Sequence, residues 1–215
     1  MKYIAKHISN EPRSLKEHRS TPGATYNDCN KEDIRLALLK EQGYLCAYCM
    51  QRIDETLGKN GMPVTRIEHY EAQKSNAGED LQMNYLNMLG VCSGDRGLSE
   101  DLLHCDKSRR NASLTIDPRQ KDCEQHIHYS PNGRIYSNKV DVHNDLDKIL
   151  NLNTPYLKNG RKAAMNIANK NLKAWKEGDI KQAIKKWEQL NKQGKYQEFC
   201  QAAIYYLQKK LRQLS

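Results

Sequence analysis

Four cysteines constrain this chain more than any other feature. Cys46-x-x-Cys49 sets two thiols close together, and Cys92 and Cys105 follow at longer intervals. A turn carrying such a pair brings both sulfurs to one side, where they can share one tetrahedral ion. Alone, the pair also serves as a redox motif. A thioredoxin-like site, however, needs a strand before it and a long helix after it, whereas the residues after Cys49 are polar and turn-rich, with Gly58 and Gly61. Cys92 and Cys105 complete a four-cysteine zinc set, with residues 93–104 inserted between them; the plainer reading makes these two small buried residues. Cys29, Cys123 and Cys200 have no partner at ligand spacing and are assigned to packing. Cys123 with His126 and His128 offers a second metal set, though a cluster beside a hairpin reads more simply as incidental.

A metal knot suits the composition. Apolar residues make up 38% of the 215 and the mean hydropathy is −0.91, so the core must be modest and the surface very polar. Twelve Tyr against one Phe and two Trp suit half-wet surfaces better than a deep core. The net charge of +9 favours a polyanionic partner such as nucleic acid, against the bland reading of a soluble basic surface with no partner. No apolar run is long enough to span a bilayer, and residues 1–6 lack the apolar stretch of a signal peptide. The expectation is a cytoplasmic protein whose thiols stay reduced, so that seven cysteines point to metal or reactivity before disulfides.

Along the chain, residues 1–30 read as an extended arm with little core. Asn30 caps a helix over 31–42, which Gly43 ends. A short strand is expected over 64–70, a polar loop over 71–84, and a short helix or turn over 84–91. The basic segment 105–112 starts a helix. Asn132-Gly133, set between 127–129 and 135–136, predicts a hairpin. A short helix is expected over 145–152. Beyond Pro155 three helices are expected, near 157–176, 179–192 and 195–213, with Ala164, Ile167, Ala168 and Leu172 on one apolar face. The chain thus divides into an arm (1–30), a central module (31–155) and a C-terminal helical region (156–215).

Between the two halves of the cysteine set lies Arg66-Ile67-Glu68-His69. An acidic residue beside a histidine at a strand end suits metal-assisted hydrolysis. The carboxylate can hold a hard divalent cation, and the imidazole can take a proton from water near neutral pH. Any surface Glu-His pair looks the same in isolation, so position must decide. Asn87-Met88-Leu89-Gly90-Val91-Cys92 follows, and then Cys105-Asp106-Lys107-Ser108-Arg109-Arg110-Asn111.

This ordered interleaving resembles the HNH nuclease family, also called ββα-metal or His-Me finger proteins. The resemblance implies an α+β fold: a zinc-stabilised ββα-metal core in the central module, with an N-terminal helix and a C-terminal helical extension. It implies that Cys46, Cys49, Cys92 and Cys105 hold a structural Zn²⁺ and that His69 is the general base. Glu68 and Asp106 would hold a catalytic Mg²⁺ or Mn²⁺. Asn87 would clasp the loop between the strands and so orient His69, while Lys107, Arg109 and Arg110 would face phosphates. Asp106 stands where the family carries His or Asn, with His104 and Asn111 as rivals, and the insertion before Cys105 is also a departure.

A narrower resemblance spans about residues 44–165. Cys46-Ala47-Tyr48-Cys49, Glu68-His69, His104-Cys105-Asp106 and Ile149-Leu150-Asn151-Leu152-Asn153, followed by Arg161, are similar to the HNH subunit of Septu-type anti-phage systems, also found beside retrons. It implies an ABC- or SMC-like ATPase partner, for which the helical region is a candidate docking surface, a plain helical cap being the simpler reading. The activity implied is an endonuclease acting on DNA or structured RNA. The rival is a non-catalytic zinc module that binds nucleic acid or a protein and needs neither Glu68 nor His69.

Overall fold

The computed structural model describes residues 1–58, 61–72, 81–94, 99–172 and 175–214. Its fold is mixed α+β. Helices α1 (Arg13–Arg19) and α2 (Lys31–Glu41) precede an antiparallel pair, β1 (Thr65–His69) and β2 (Met88–Cys92). The short helix α3 (Asp106–Arg109) follows, then a second pair, β3 (His128–Tyr129) and β4 (Ile135–Tyr136). Helix α4 (Val140–Asn144) runs into a π-helical turn at Asp145–Ile149. The chain then continues as α5 (Pro155–Lys170), α6 (Glu177–Glu188) and α7 (Cys200–Leu211). No helix among the described residues is long and apolar enough to cross a membrane.

Local chemistry sets these elements. The Asn30 side chain accepts from the Glu32 and Asp33 amides, satisfying donors that a helix start leaves open, and α2 buries Ile34, Leu38 and Leu39. In the first sheet Thr65 faces Cys92 and His69 faces Met88, so Cys92 lies at one end of the hairpin and the Glu68-His69 pair at the other. The stretch 84–91, expected as a helix or turn, divides into a 3₁₀ turn at Tyr85–Asn87 and strand β2. Met88, Leu89, Gly90 and Val91 are all buried, and a strand covered on both faces shows no alternation from which its period can be read.

Two expectations give way. Residues 1–30 are not an arm without core: Met1 and Ile4 enter the main core, and Leu15 on α1 packs with Cys29, Ile34, Leu38, Tyr85 and Met88 in a second cluster. Single apolar residues among polar ones plug the body without any period to announce them. The C-terminal helices are also shorter than expected, and Ile167 lies half exposed rather than on the buried face. Residues 195–199 stay non-helical because other backbone groups claim them. The Tyr196 amide donates to the Gly43 carbonyl at 3.0 Å, and the Phe199 amide donates to the Met50 carbonyl at 3.1 Å. Phe199 then enters α7 with φ 54°, its ring against Gly160, where an added Cβ would lie 2.4 Å from the ring. The helical region is in this way stitched to the backbone flanking the first cysteine pair.

Candidate functional site

The four cysteine sulfurs of Cys46, Cys49, Cys92 and Cys105 lie within 4.8 Å of one another. Cys46 Sγ is 3.8 Å from Cys105 Sγ, and Cys49 Sγ is 3.7 Å from Cys92 Sγ. A disulfide needs about 2.05 Å. Tetrahedral zinc with bonds of about 2.3 Å sets its sulfurs about 3.8 Å apart. The set therefore has the spacing of a zinc site and could hold such an ion. Burial opposes ionisation at Cys46, but hydrogen bonds from Cys105, Cys49 and Cys92 outweigh it and hold this thiol well below its ordinary pKa.

The backbone builds this cluster piece by piece. In the first half, the Cys46 amide donates to the Gln51 carbonyl at 2.9 Å and the Met50 amide donates back to the Cys46 carbonyl at 3.0 Å. Buried Gln42 ties the turn to β2, donating to the carbonyls of Leu45 and Gly90 and accepting from the Gly90 amide at 2.7 Å. In the second half, the His104 amide donates to the Gly94 carbonyl at 2.9 Å, closing the base of the insertion. Gly94 has φ 71°, and a Cβ there would lie 2.2 Å from the His104 carbonyl oxygen, so only glycine allows the approach. The Leu150 carbonyl receives the Cys105 amide, and the Asn151 side chain donates to the carbonyls of Asp101 and Leu103. Arg161, fully buried, donates to the Gly133 and Leu152 carbonyls at 2.6 Å each. Burial lowers its pKa to about 10, while Tyr129, Cys49 and Cys105 favour its charge.

Beside the cluster, Glu68 at the end of β1 is buried. Its carboxylate accepts from the Tyr48 hydroxyl at 3.1 Å and pairs with the Arg109 guanidinium. The Asp106 carboxylate lies against it; burial and this second carboxylate together push Glu68 up to about 8, outweighing Arg109. Asp106 is held on its other side by Arg66, at 4.0 Å. Arg109, expected to face phosphates, instead turns inward. It donates to Tyr48, Glu68 and the carbonyls of His69, Tyr70 and Ala112, so its side chain is almost fully buried. The reason is the short turn of α3, which sends one basic side chain across the sheet end while Arg110 stays exposed. Lys107 and Arg110 line a hollow of about 320 Å³ with Lys148 and Asn151.

His69 is 7% exposed. Its Nε2 lies 2.9 Å from the Gln82 carbonyl oxygen, which can only accept; the ring proton therefore sits on Nε2 and the lone pair on Nδ1. Burial holds the imidazole below its ordinary pKa, which keeps it neutral. Tyr26 packs its ring edge-on, centroids 4.7 Å apart. Asn87 grips the residue two after His69: its Oδ1 accepts from the Glu71 amide at 2.8 Å and its Nδ2 donates to the Glu71 carbonyl at 3.1 Å. The rivals of Asp106 lie elsewhere. His104 turns its Nδ1 to Cys105 Sγ at 3.3 Å, and Asn111 is exposed beyond α3. Cys29, Cys123 and Cys200 are buried, and Cys123, His126 and His128 do not form a metal cluster among the described residues.

Tyr48, Gln42 and the inward role of Arg109 escaped sequence reasoning. Tyr48 carries a faint signal, since a tyrosine within the Cys46–Cys49 turn is drawn close to whatever the ligands surround. No family model and no curated protein matches this chain.

Proposed function

We propose that this protein is a metal-dependent HNH-type endonuclease that hydrolyses phosphodiester bonds in DNA or structured RNA. The observation that carries the reading is a convergence at one strand end. Two carboxylates, Glu68 and Asp106, meet at the end of β1, the next residue along the strand is the neutral His69, and the hairpin and short helix that carry them lead into the four-cysteine cluster. Strand, strand and helix follow the order of a ββα-metal core, with the four cysteines set within the main hydrophobic cluster. A carboxylate has lone pairs beyond those that Arg109 and Tyr48 occupy, so Glu68 and Asp106 suit a hard cation such as Mg²⁺ or Mn²⁺. Once bound, that ion supplies Lewis acidity at the scissile phosphate and stabilises the leaving oxygen. His69 Nδ1 takes the proton of the attacking water, Asn87 fixes the turn that aims the ring, and Lys107 and Arg110 hold flanking phosphates.

The segment 149–153 and Arg161 brace the zinc knot, which supports the narrower reading of an anti-phage effector nuclease, of the Septu or retron-associated kind, restrained by an ABC-like ATPase. The burial of His69 and the Arg109 clamp on Glu68 favour a second reading, a non-catalytic zinc module. Incubation of the purified chain with plasmid DNA and with total tRNA, plus Mg²⁺ or Mn²⁺, separates the two. Loss of a general base slows catalysis by about 10²–10⁴-fold. His69→Ala should show that loss with melting and zinc content unchanged; cleavage at the wild-type rate would sink the assignment.

A further inference from the structure

We propose that helices α5–α7 form the surface that holds the phosphate backbone of a nucleic-acid duplex. The charge of this protein is segregated along the chain. Residues 155–215 contain 14 of the 35 Lys and Arg but only 4 of the 26 Asp and Glu, a net charge of +10. The first 154 residues contain the other 21 and 22, a net charge of −1. The body that carries the cysteines and Glu68-His69 is thus nearly neutral, and the whole excess sits on the helical region.

That charge is available. Lys162, Lys170, Lys176, Lys185, Lys186, Lys192 and Lys209 are all exposed. Among the described residues of this region, Lys181–Glu177 is the only ion pair, at 2.5 Å. Lys158 and Lys162 lie about one turn and 6 Å apart on α5, and Lys170 lies about 12 Å further along, a third of a turn round from Lys158. A hollow of about 510 Å³ between α5 and α6 offers further donors from Asn171, Gln182, Lys185, Lys186 and Gln189, with Asp179 as the carboxylate on its rim.

The kind of basic residue selects the partner. Twelve of the 14 are Lys, and one of the two Arg, Arg161, is buried in the core. Protein interfaces deplete Lys and concentrate Arg and aromatic residues, so an acidic protein surface fits poorly. Lys is a compact, strongly hydrated point charge, suited to phosphates without reading bases, for which forked Arg is the usual tool. Single strands call for a row of exposed rings on which bases stack. Here Trp175 is half exposed but lies under the Lys210 ammonium, 5.2 Å from its ring centroid, and Tyr206 lies under the same ammonium, so these two rings are already covered by a cation. A duplex backbone, with one charge per about 1.7 Å, matches what remains.

The test is fluorescence anisotropy with a labelled 24-base-pair DNA duplex and the full zinc-loaded chain, without Mg²⁺ or Mn²⁺, over a series of NaCl concentrations. Each lost phosphate contact should reduce the log–log salt slope by about 0.9. The combined variant Lys162→Gln, Lys170→Gln, Lys185→Gln and Lys186→Gln should bind at least tenfold more weakly, with a clearly shallower slope and an unchanged circular dichroism spectrum. The loss should be equal for duplexes of unrelated sequence. Removing the same charge from the body, through Lys16→Gln, Lys40→Gln, Lys121→Gln and Lys139→Gln, should change affinity less than twofold. Equal losses from the two sets would overturn the proposal, and so would displacement of the duplex by poly-glutamate as readily as by unlabelled duplex. Docking and catalysis separate cleanly. Wild-type protein that binds through these helices yet never cleaves refutes the nuclease reading alone. A quadruple variant that binds like wild type refutes the docking surface alone.

Discussion

Arg109→Ala distinguishes a buried clamp from a phosphate contact. In the folded protein the guanidinium neutralises Glu68, meets the Tyr48 hydroxyl at 3.0 Å and reaches the carbonyls of His69, Tyr70 and Ala112. Truncation leaves three carbonyls and the Tyr48 hydroxyl short of a donor, and removes the cation that favours ionisation of Glu68, whose carboxyl burial and Asp106 already push up to about 8. Removing one partner of a buried ion pair costs about 3–5 kcal/mol. That is a large part of the roughly 5–15 kcal/mol that holds a domain together. For a chain of this size 1 kcal/mol moves Tm by about 2–4 °C, so the melting point should fall by roughly 10 °C. Differential scanning calorimetry with zinc present reads this directly. Glu68→Gln removes the carboxyl that Arg109 clamps, so Arg109→Ala should cost less in that background and the two substitutions must couple in a double-mutant cycle. An Arg109→Ala protein that melts within about 2 °C of wild type, or a cycle that is additive, would refute the clamp. The arginine would then act on the surface, as its place in a basic segment suggests.

Metal analysis should find one tightly held zinc per chain, and Cys105→Ser or strong chelation should abolish cooperative melting. Structural zinc contributes about 10–16 kcal/mol in finger peptides, as much as a whole domain has, so a well-folded zinc-free wild type would contradict the site. Gly94→Ala forces a methyl group toward the His104 carbonyl at a φ of 71°, and should lower Tm by several degrees and speed zinc loss to a competing chelator; unchanged values would show that the Gly94–His104 contact does not hold the cluster. With the His69 pKa lowered by burial, the neutral base persists below pH 6.5, so at saturating Mg²⁺, which would keep Glu68 ionised, cleavage should be flat from pH 8 to about 6.5 and fall only on further acidification. The sign for stability is the same. The unfolded chain binds the proton first, so this residue's contribution is intact above about 6.5 and is lost as pH falls toward the folded value. A rate that rises on acidification would rule out a neutral imidazole base.

The parts of the fold legible from sequence were those fixed by short-range chemistry. The Asn30 cap, the Asn132-Gly133 turn and the Cys46–Cys49 turn each depend on a few neighbouring residues, and each lies where the sequence puts it. Glu68 and Asp106 could be suspected of sharing a site because each adjoins a fixed point, a strand end and one of the clustered cysteines. What stayed hidden depends on distant partners. Strand β2 lacks alternation because both its faces are covered. Met1 and Ile4 act singly, and residues 195–199 give up helix for hydrogen bonds to Gly43 and Met50. Arg109 shows the limit most clearly: Lys107, Arg109 and Arg110 look equivalent in sequence, and only the turn of α3 decides which of them enters the protein.

The closed base of the insertion has a consequence for how such proteins can diverge. Gly94 and His104 are bonded to each other, and Asn151 holds Asp101 and Leu103 from behind, so the chain is fixed on both sides of residues 95–98 before it reaches Cys92 and Cys105. Chain length between Cys92 and Cys105 is thereby decoupled from coordination geometry, whereas the two residues between Cys46 and Cys49 are not. Lengthening a flexible surface loop adds only about 0.6 kcal/mol per doubling. New sequence, even a binding epitope, can therefore be inserted there at little cost to the metal knot, so long as a glycine stays at its neck.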